Sequence, residues 1–193
     1  MRTPWVALTA FLLCLPAIPD VQSDAATMIS PGFLSIESII RAYPTPKQLA
    51  KFLRTEFTFK TDAELFGETD YWQAPEEFLS RRAGDCEDYA LFAQAVLQRQ
   101  GIEAHVLSLF GEDGYAHTVC VFKQGGRYHV INQGRLLAYG AKTLDALAWQ
   151  VYAGWTAGAL SRQTGIRGEA IRMFHNPRPA SAHWRSDPLF SFP

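Results

Sequence analysis

The sequence predicts an α+β fold in which helices come first and an antiparallel sheet follows. Apolar residues recur at helical spacing along residues 86–100, and Gly101 then ends that pattern. Strand-forming segments separated by glycine-rich turns follow over residues 105–133. Because the helical and strand patterns are segregated along the chain, they favour an α+β domain over alternating βα units.

Composition favours one folded domain with terminal extensions. The chain has 193 residues, of which 48% are hydrophobic, and its net charge is −1. This length suits a single domain, and the apolar content is enough for a core. The near-neutral charge and the lack of a basic run argue against a nucleic-acid partner and give no reason for binding to a membrane surface.

The N-terminus is typical of an export signal. Arg2 precedes an apolar run over residues 5–18, which is too short to span a bilayer. Small residues around Ser23 offer a cleavage region, so we expect residues 1–25 to be a signal peptide and the protein to be secreted or periplasmic. The alternative is an uncleaved N-terminal anchor, which would be the protein's only attachment to a membrane.

Three helical segments and a loop are predicted before residue 86. The clearest start is Thr45-Pro46, an N-cap followed by proline at the first helical position, and apolar residues then recur at helical spacing to Phe57. Residues 36–40 form either a short helix or a non-helical apolar segment, and Pro75 opens another short helix. The polar segment 62–70 is predicted to be a loop.

The second half of the chain begins with three predicted strands. They cover residues 105–110, 115–123 and 127–133, and Gly125-Gly126 between the last two is a hairpin signal. Thr143 can cap a helix with Leu144, Leu147, Val151 and Trp155 on one face, whereas residues 156–176 fit no single pattern. Prolines from residue 177 onward predict an extended tail over residues 177–193.

Cys86 is predicted to lie in the first turn of a helix. Unpaired N–H groups at a helix N-terminus stabilise a thiolate and lower the pKa of a cysteine, which favours a nucleophile. The alternative is a small apolar residue buried at the start of the helix.

A cysteine nucleophile needs a base, and strand alternation selects His117. If Gly125-Gly126 is a two-residue turn, Val119 faces Asn132 across the hairpin. His117 is then the diagonal neighbour of Asn132 on the same face, at about 7–8 Å. The histidine could act as base, and the amide oxygen of Asn132 could orient its ring, as in papain-like proteases. Cys120 would point to the other face, which argues against a Cys86–Cys120 disulfide and makes Cys120 a core residue.

Four motifs together resemble the transglutaminase-like cysteine protease superfamily, and within it the bacterial transglutaminase-like cysteine proteinases. They are Trp72-Gln73-x-Pro75-x-Glu77-x-Leu79, Gly84-Asp85-Cys86-Glu87-Asp88-Tyr89-Ala90, Gly101-Ile102-x-Ala104 and Ala116-His117-Thr118-Val119. The resemblance implies a papain-like, transglutaminase-like core over residues 28–176, in which the nucleophile helix packs on an antiparallel sheet. It also implies Cys86 as nucleophile and His117 as base, with Asn132 standing where the superfamily usually has Asp.

The sequence therefore predicts an exported thiol hydrolase that cleaves amide bonds in a protein or peptide, most simply a cysteine peptidase. The backbone N–H of Cys86 would bind the oxyanion. The side chain of Gln73 is either a second donor to it or a surface residue before a helix. A transamidase or deamidase would use the same triad. The rival from another class is a catalytically silent binding domain that keeps the fold.

No cofactor is required by this chemistry, but Asp85 and Glu87 flank the cysteine. Two carboxylates should raise the pKa of the thiol, whereas the helix N-terminus should lower it. Either of two explanations resolves this conflict. In the first, the carboxylates suit the helix dipole, with Asp85 as the N-cap. Alternatively they bind calcium, with carboxylates from segment 62–70 or backbone carbonyls completing the shell, and the resemblance implies that acidic residues beside the cysteine can serve as such ligands.

Overall fold

The computed structural model describes residues 34–112, 114–162 and 169–176. The predicted signal peptide (residues 1–25) and the predicted tail (residues 177–193) lie outside these ranges. Within them the fold is α+β, as predicted. The helices are α1 (Ile36–Ala42), α2 (Pro46–Glu56), α3 (Asp62–Phe66), α4 (Pro75–Arg81), α5 (Cys86–Arg99) and α6 (Leu144–Val151). The strands are β1 (Thr58–Phe59), β2 (Ala83–Gly84), β3 (Ala104–Gly111), β4 (Ala116–Gln124), β5 (Arg127–Asn132), β6 (Arg135–Ala141), β7 (Trp155–Arg162) and β8 (Glu169–His175).

Side-chain caps explain where several helices begin. Thr45 accepts a hydrogen bond from the N–H of Gln48, and Pro46 follows at the first helical position, as the sequence predicts. The prediction of a loop over residues 62–70 is wrong in its first half, because α3 begins there. The reciprocal hydrogen bonds of Thr61 and Glu64 form a capping box that starts this helix.

The main sheet has six antiparallel strands in the order β6-β5-β4-β3-β7-β8. Gly125 and Gly126 have φ angles of 59° and 72° and close the β4–β5 hairpin as a two-residue turn. Gln124 therefore pairs with Arg127 and Cys120 with Ile131, the register that the sequence predicts. β1 and β2 form a separate sheet of two short parallel strands, and β2 lies just before α5 in the chain.

The C-terminal part of the sheet was not recognised in the sequence. Residues 155–162 and 169–175 form the hairpin β7–β8, and β7 pairs with β3. Trp155 was expected on the face of the last helix, but α6 ends at Val151 and Trp155 begins β7. No helix in the part of the chain that the structure describes is long and apolar enough to cross a bilayer.

Two apolar cores lie on opposite faces of the sheet. One contains residues of α1, α2, α4 and α5 together with Cys120, Phe122 and Ile131. The other contains α6 with Val119, Val121 and other residues of the opposite parity. Cys120 therefore lies on the α5 face, opposite the face of His117, and is buried in the core as the sequence predicts. Cys86 and Cys120 are both free thiols in the structure.

Candidate active site

Cys86 is the first residue of α5, and its thiol lies between a carboxylate and a backbone N–H. The thiol donates a hydrogen bond to Glu87 Oε2 at 3.0 Å. Burial, followed by the charge of Glu87, raises the pKa of the Cys86 thiol, while a hydrogen bond from the backbone N–H of Thr118 opposes the increase. We expected the helix N-terminus to lower this pKa. The structure corrects that expectation, because desolvation and the adjacent carboxylate outweigh the helix terminus.

His117 and Asn132 are in direct contact across the β4–β5 hairpin. His117 Nε2 lies 3.1 Å from Asn132 Oδ1. With an amide oxygen as acceptor, Nε2 carries the hydrogen, and Nδ1 keeps a lone pair that can accept a proton. The ring is buried, with 2% of its surface exposed. Burial lowers the pKa of His117 to about 4, against the opposing effect of Asn132, so the imidazole is neutral at pH 7.

The Cys86 sulfur lies at the end of the β4–β5 pairing, beside the backbone N–H of Thr118, the residue that follows His117. The ladder between these strands stops at Cys120 and Ile131, so Thr118 lies beyond the last pair. A strand N–H points within the plane of the sheet. The Cys86 sulfur accepts from the N–H of Thr118, so it lies near that plane, where β5 no longer pairs with β4. The body of α5 covers the Cys120 face, and its first residue, Cys86, reaches the backbone of Thr118.

Two aromatic residues that the sequence reading did not single out adjoin the histidine. The Tyr115 ring is nearly parallel to the His117 ring, at 6.3 Å between centroids, and meets Tyr152 edge-on at 5.2 Å. Tyr152 is buried in the core beneath α6. This aromatic packing lies on one side of the buried imidazole.

Gln73 is bound in a way that does not fit an oxyanion donor. Its side chain is buried, and Nε2 donates to Ala83 O at 3.0 Å and to Asp88 Oδ2 at 2.7 Å. Oε1 accepts from Arg81 Nε at 3.1 Å. Both amide hydrogens are therefore engaged within the protein, and Gln73 has none left for a substrate.

Carboxylates from three segments gather beside Cys86. Ligand oxygens of Asp62, Asp70 and Glu87 lie within 4.8 Å of one another, and so do those of Asp62, Asp85 and Asp88. Asp62 Oδ1 and Asp85 Oδ1 are buried and have no hydrogen-bond partner. Burial, then the proximity of Glu87, raises the pKa of Asp85 to about 8, and burial also raises the pKa of Glu87. An all-oxygen group with orphaned oxygens, in which burial disfavours the ionised carboxylates, fits a calcium ion that would stabilise the ionised form.

The family follows from comparison with known proteins. The family model described as the transglutaminase-like domain matches residues 40–147, more than half of the chain. The chain belongs to this family. The matched segment runs from α1 to α6 and includes Cys86, His117 and Asn132. No curated protein matches the chain.

Solved structures show more distant similarity. LapG of Legionella pneumophila, solved in calcium-bound and EGTA-treated forms, is 22% identical over 53% of this chain, with a TM-score of 0.39. A putative cysteine protease from Cytophaga hutchinsonii is 12% identical over 72% of this chain, with a TM-score of 0.43. The aligned parts cover 61% of the calcium-bound LapG chain and 48% of the Cytophaga chain. These similarities are too low to transfer a residue role or an activity.

Proposed function

We propose that this transglutaminase-like domain is an exported cysteine peptidase that cleaves amide bonds in protein or peptide substrates. The hydrogen bond between His117 Nε2 and Asn132 Oδ1 carries the proposal. That bond leaves Nδ1 as the basic nitrogen of the His117 ring. His117 directly precedes Thr118, whose backbone N–H donates to the Cys86 sulfur. Export rests on the sequence of residues 1–25 alone.

In the proposed reaction, Cys86 Sγ attacks the carbonyl carbon of the scissile amide as its proton passes to His117 Nδ1. The backbone N–H of Cys86 donates to the developing oxyanion. The C–N bond then breaks as His117 returns the proton to the leaving amine, and a thioester remains on Cys86. Water attacks the thioester with His117 again as base, which releases the acid and restores the thiol. Asn132 keeps the ring oriented throughout.

The protonation states favour proton transfer during attack over a pre-formed thiolate–imidazolium pair. The pKa of the thiol is raised and the pKa of His117 is lowered, so both groups are neutral near pH 7. The neutral amide of Asn132 stabilises an imidazolium less than a carboxylate would. The thiol must also leave Glu87 Oε2 before its proton can move to His117.

We further propose that Asp85 and Glu87, with Asp62 and Asp70, hold a calcium ion. Calcium bound there would stabilise the ionised carboxylates that burial disfavours and would neutralise their charge beside the thiol. The support is the pair of orphaned oxygens, Asp62 Oδ1 and Asp85 Oδ1, within an all-oxygen cluster.

Calcium should raise the melting temperature of the chelated protein. We expect an increase of roughly 5–10 °C when calcium reaches a hundred times its Kd, because the ion binds only the folded state. The double variant Asp85→Asn, Glu87→Gln should show no increase. A wild-type melting temperature that ignores millimolar calcium, or a double variant that responds like wild type, would leave these carboxylates as helix-terminal charges only.

The test of the peptidase proposal is turnover of a peptide library by the mature protein. Cys86→Ala should lower the rate by several powers of ten, as the loss of a nucleophile does in other triads. Cys120→Ala removes the other described thiol, which is buried in the core, and should keep the rate. Activity of Cys86→Ala within tenfold of wild type would exclude Cys86 as nucleophile. Added amines that appear in the product would indicate transamidation.

The raised pKa of the thiol favours one alternative, a catalytically silent domain that binds protein ligands. Alkylation by iodoacetamide separates the two. With calcium present near neutral pH, the peptidase should lose activity as Cys86 is alkylated, because His117 can take the proton of the thiol, whereas a silent domain should leave Cys86 unmodified.

A further inference from the structure

Asp88 lies in the first turn of α5 and is fully buried, with 0% of its surface exposed, although the proposed reaction gives it no role. Its carboxylate accepts three hydrogen bonds from neutral donors. Oδ1 accepts from the backbone N–H of Gln73 at 2.8 Å, and Oδ2 accepts from Gln73 Nε2 at 2.7 Å. Oδ2 also accepts from the backbone N–H of Asp85 at 3.1 Å. A buried carboxylate is costly, and these bonds offset its desolvation.

The chain before Cys86 is packed tightly against this carboxylate. A Cβ at Gly84 would collide with Asp88 Oδ2 and would lie 2.7 Å from Gln73 Nε2. On its other side, Gly84 O accepts the N–H of Lys60 at 2.9 Å, which joins the segment to β1. Residues 84 and 85 are therefore held on one side by Asp88 and on the other side by the backbone of Lys60.

We propose that Asp88 is a positioning residue for the nucleophile, because its carboxylate fixes the backbone that carries Cys86. By binding the N–H of Asp85 it fixes the peptide between residues 84 and 85, one residue before Cys86. Fixing this peptide aims both the Cys86 side chain and the Cys86 N–H, the proposed oxyanion donor. This inference rests on the proposed function, since positioning matters only where Cys86 reacts.

The reasoning predicts a loss in kcat with little change in KM. A displacement of about 1 Å at a reacting group can cost about a hundredfold in rate, whereas substrate binding away from that group is unaffected. Gln73 acts in the same network by holding Asp88, which is the role that the structure supports for it in place of oxyanion binding.

The experiment replaces Asp88 with Asn, which keeps the size of the side chain. The new amide NH₂ group then faces an N–H donor of Gln73 or Asp85, and that hydrogen bond is lost. We expect kcat to fall by about tenfold to a hundredfold and KM to change by less than about threefold. The matched control is Gln94→Leu. Gln94 is also a buried polar residue of α5, and its Oε1 accepts the N–H of Val106 at 2.9 Å, farther along the helix. The control should lower the melting temperature yet keep kcat within about twofold.

A kcat of Asp88→Asn within twofold of wild type would overturn the proposal, and so would an equal loss of kcat in Gln94→Leu. If Asp88→Asn does not fold, Gly84→Ala replaces it, because the added methyl displaces the same carboxylate without touching a reacting atom. Retained kcat in Gly84→Ala, with the displaced carboxylate seen in its structure, would be equally decisive against the proposal.

Amide hydrogen exchange separates this inference from the proposed function. Asp88→Asn should speed exchange at Asp85, whereas Gln94→Leu should speed it at Val106. If wild type shows no Cys86-dependent turnover, the peptidase proposal fails, and the exchange data still report whether Asp88 holds the segment. Unchanged exchange at Asp85 in Asp88→Asn would refute the positioning itself, whatever the activity.

Discussion

Replacing His117 with glutamine should remove a pH dependence of stability that the buried imidazole creates. Burial lowers the pKa of His117 from its ordinary 6.5 to about 4. The unfolded chain therefore binds a proton at this residue over a pH range in which the folded chain does not. Protonation favours the unfolded state there, so wild type loses stability as the pH falls from about 6.5 toward 4.

The size of the effect follows from the same two pKa values. The complete shift corresponds to about 3 kcal/mol, and at pH 4.5 the loss should be on the order of 2–3 kcal/mol. His117→Gln cannot lose this amount, although it is expected to be less stable than wild type at pH 7.5 because the contact with Asn132 changes.

Urea unfolding of wild type and His117→Gln between pH 7.5 and 4.5, with chelator present, measures the difference. The carboxylates near Cys86 titrate in both proteins, and their contribution cancels when the two free energies of unfolding are subtracted. The difference should be constant above pH 7 and should shift in favour of the variant below pH 6.5. A difference that stays constant to within about 0.5 kcal/mol down to pH 4.5 would show that His117 is not desolvated as the structure has it.

Two other predictions concern the hairpins beside the site. Asn132→Asp should preserve or raise the turnover rate. It should also move the acid limb of kcat/KM above the value near pH 4 expected for His117, because a carboxylate stabilises the imidazolium. An unmoved acid limb in the pH–rate profile would show that residue 132 does not influence the base. Gly134→Ala should destabilise the protein by about 2 kcal/mol or more in urea unfolding, since φ is +75° and the new Cβ would lie 2.5 Å from the backbone N of Arg54. Gly67→Ala, at φ +71° with open space around it, should cost only about 1 kcal/mol, and equal losses would contradict the role of the close approach at Gly134.

Local signals explain which elements the sequence predicts well. Thr45-Pro46 starts α2 by chemistry confined to one turn, and Gly125-Gly126 sets the register of β4 against β5 by its turn type alone. The contact of His117 with Asn132 follows from that register and from strand alternation. The capping box of Thr61 and Glu64 is an equally local signal for α3, but it lies in a polar segment that was read as a loop.

Contacts between distant parts of the chain explain what could not be predicted. β7 is defined by pairing with β3, and its mixture of glycine, alanine and polar residues carries no clear period of its own. The bond between Gln73 and Asp88 joins residues brought together only by the fold. The thiol pKa likewise depends on burial, which helix position alone does not reveal, and so the expected direction of its shift was wrong.

The strand order has a consequence for how the molecule assembles. β3, β4 and β5 are each hydrogen-bonded to the next strand in sequence, and α5 immediately precedes them. Cys86, His117 and Asn132 therefore belong to one stretch rich in short-range contacts. β7 joins only after the intervening chain closes a long loop onto β3. Short loops close at lower entropic cost and sooner than long ones. The nucleophile, base and orienting residue should therefore come together early in folding, and β7–β8 should dock late and be among the first parts to detach.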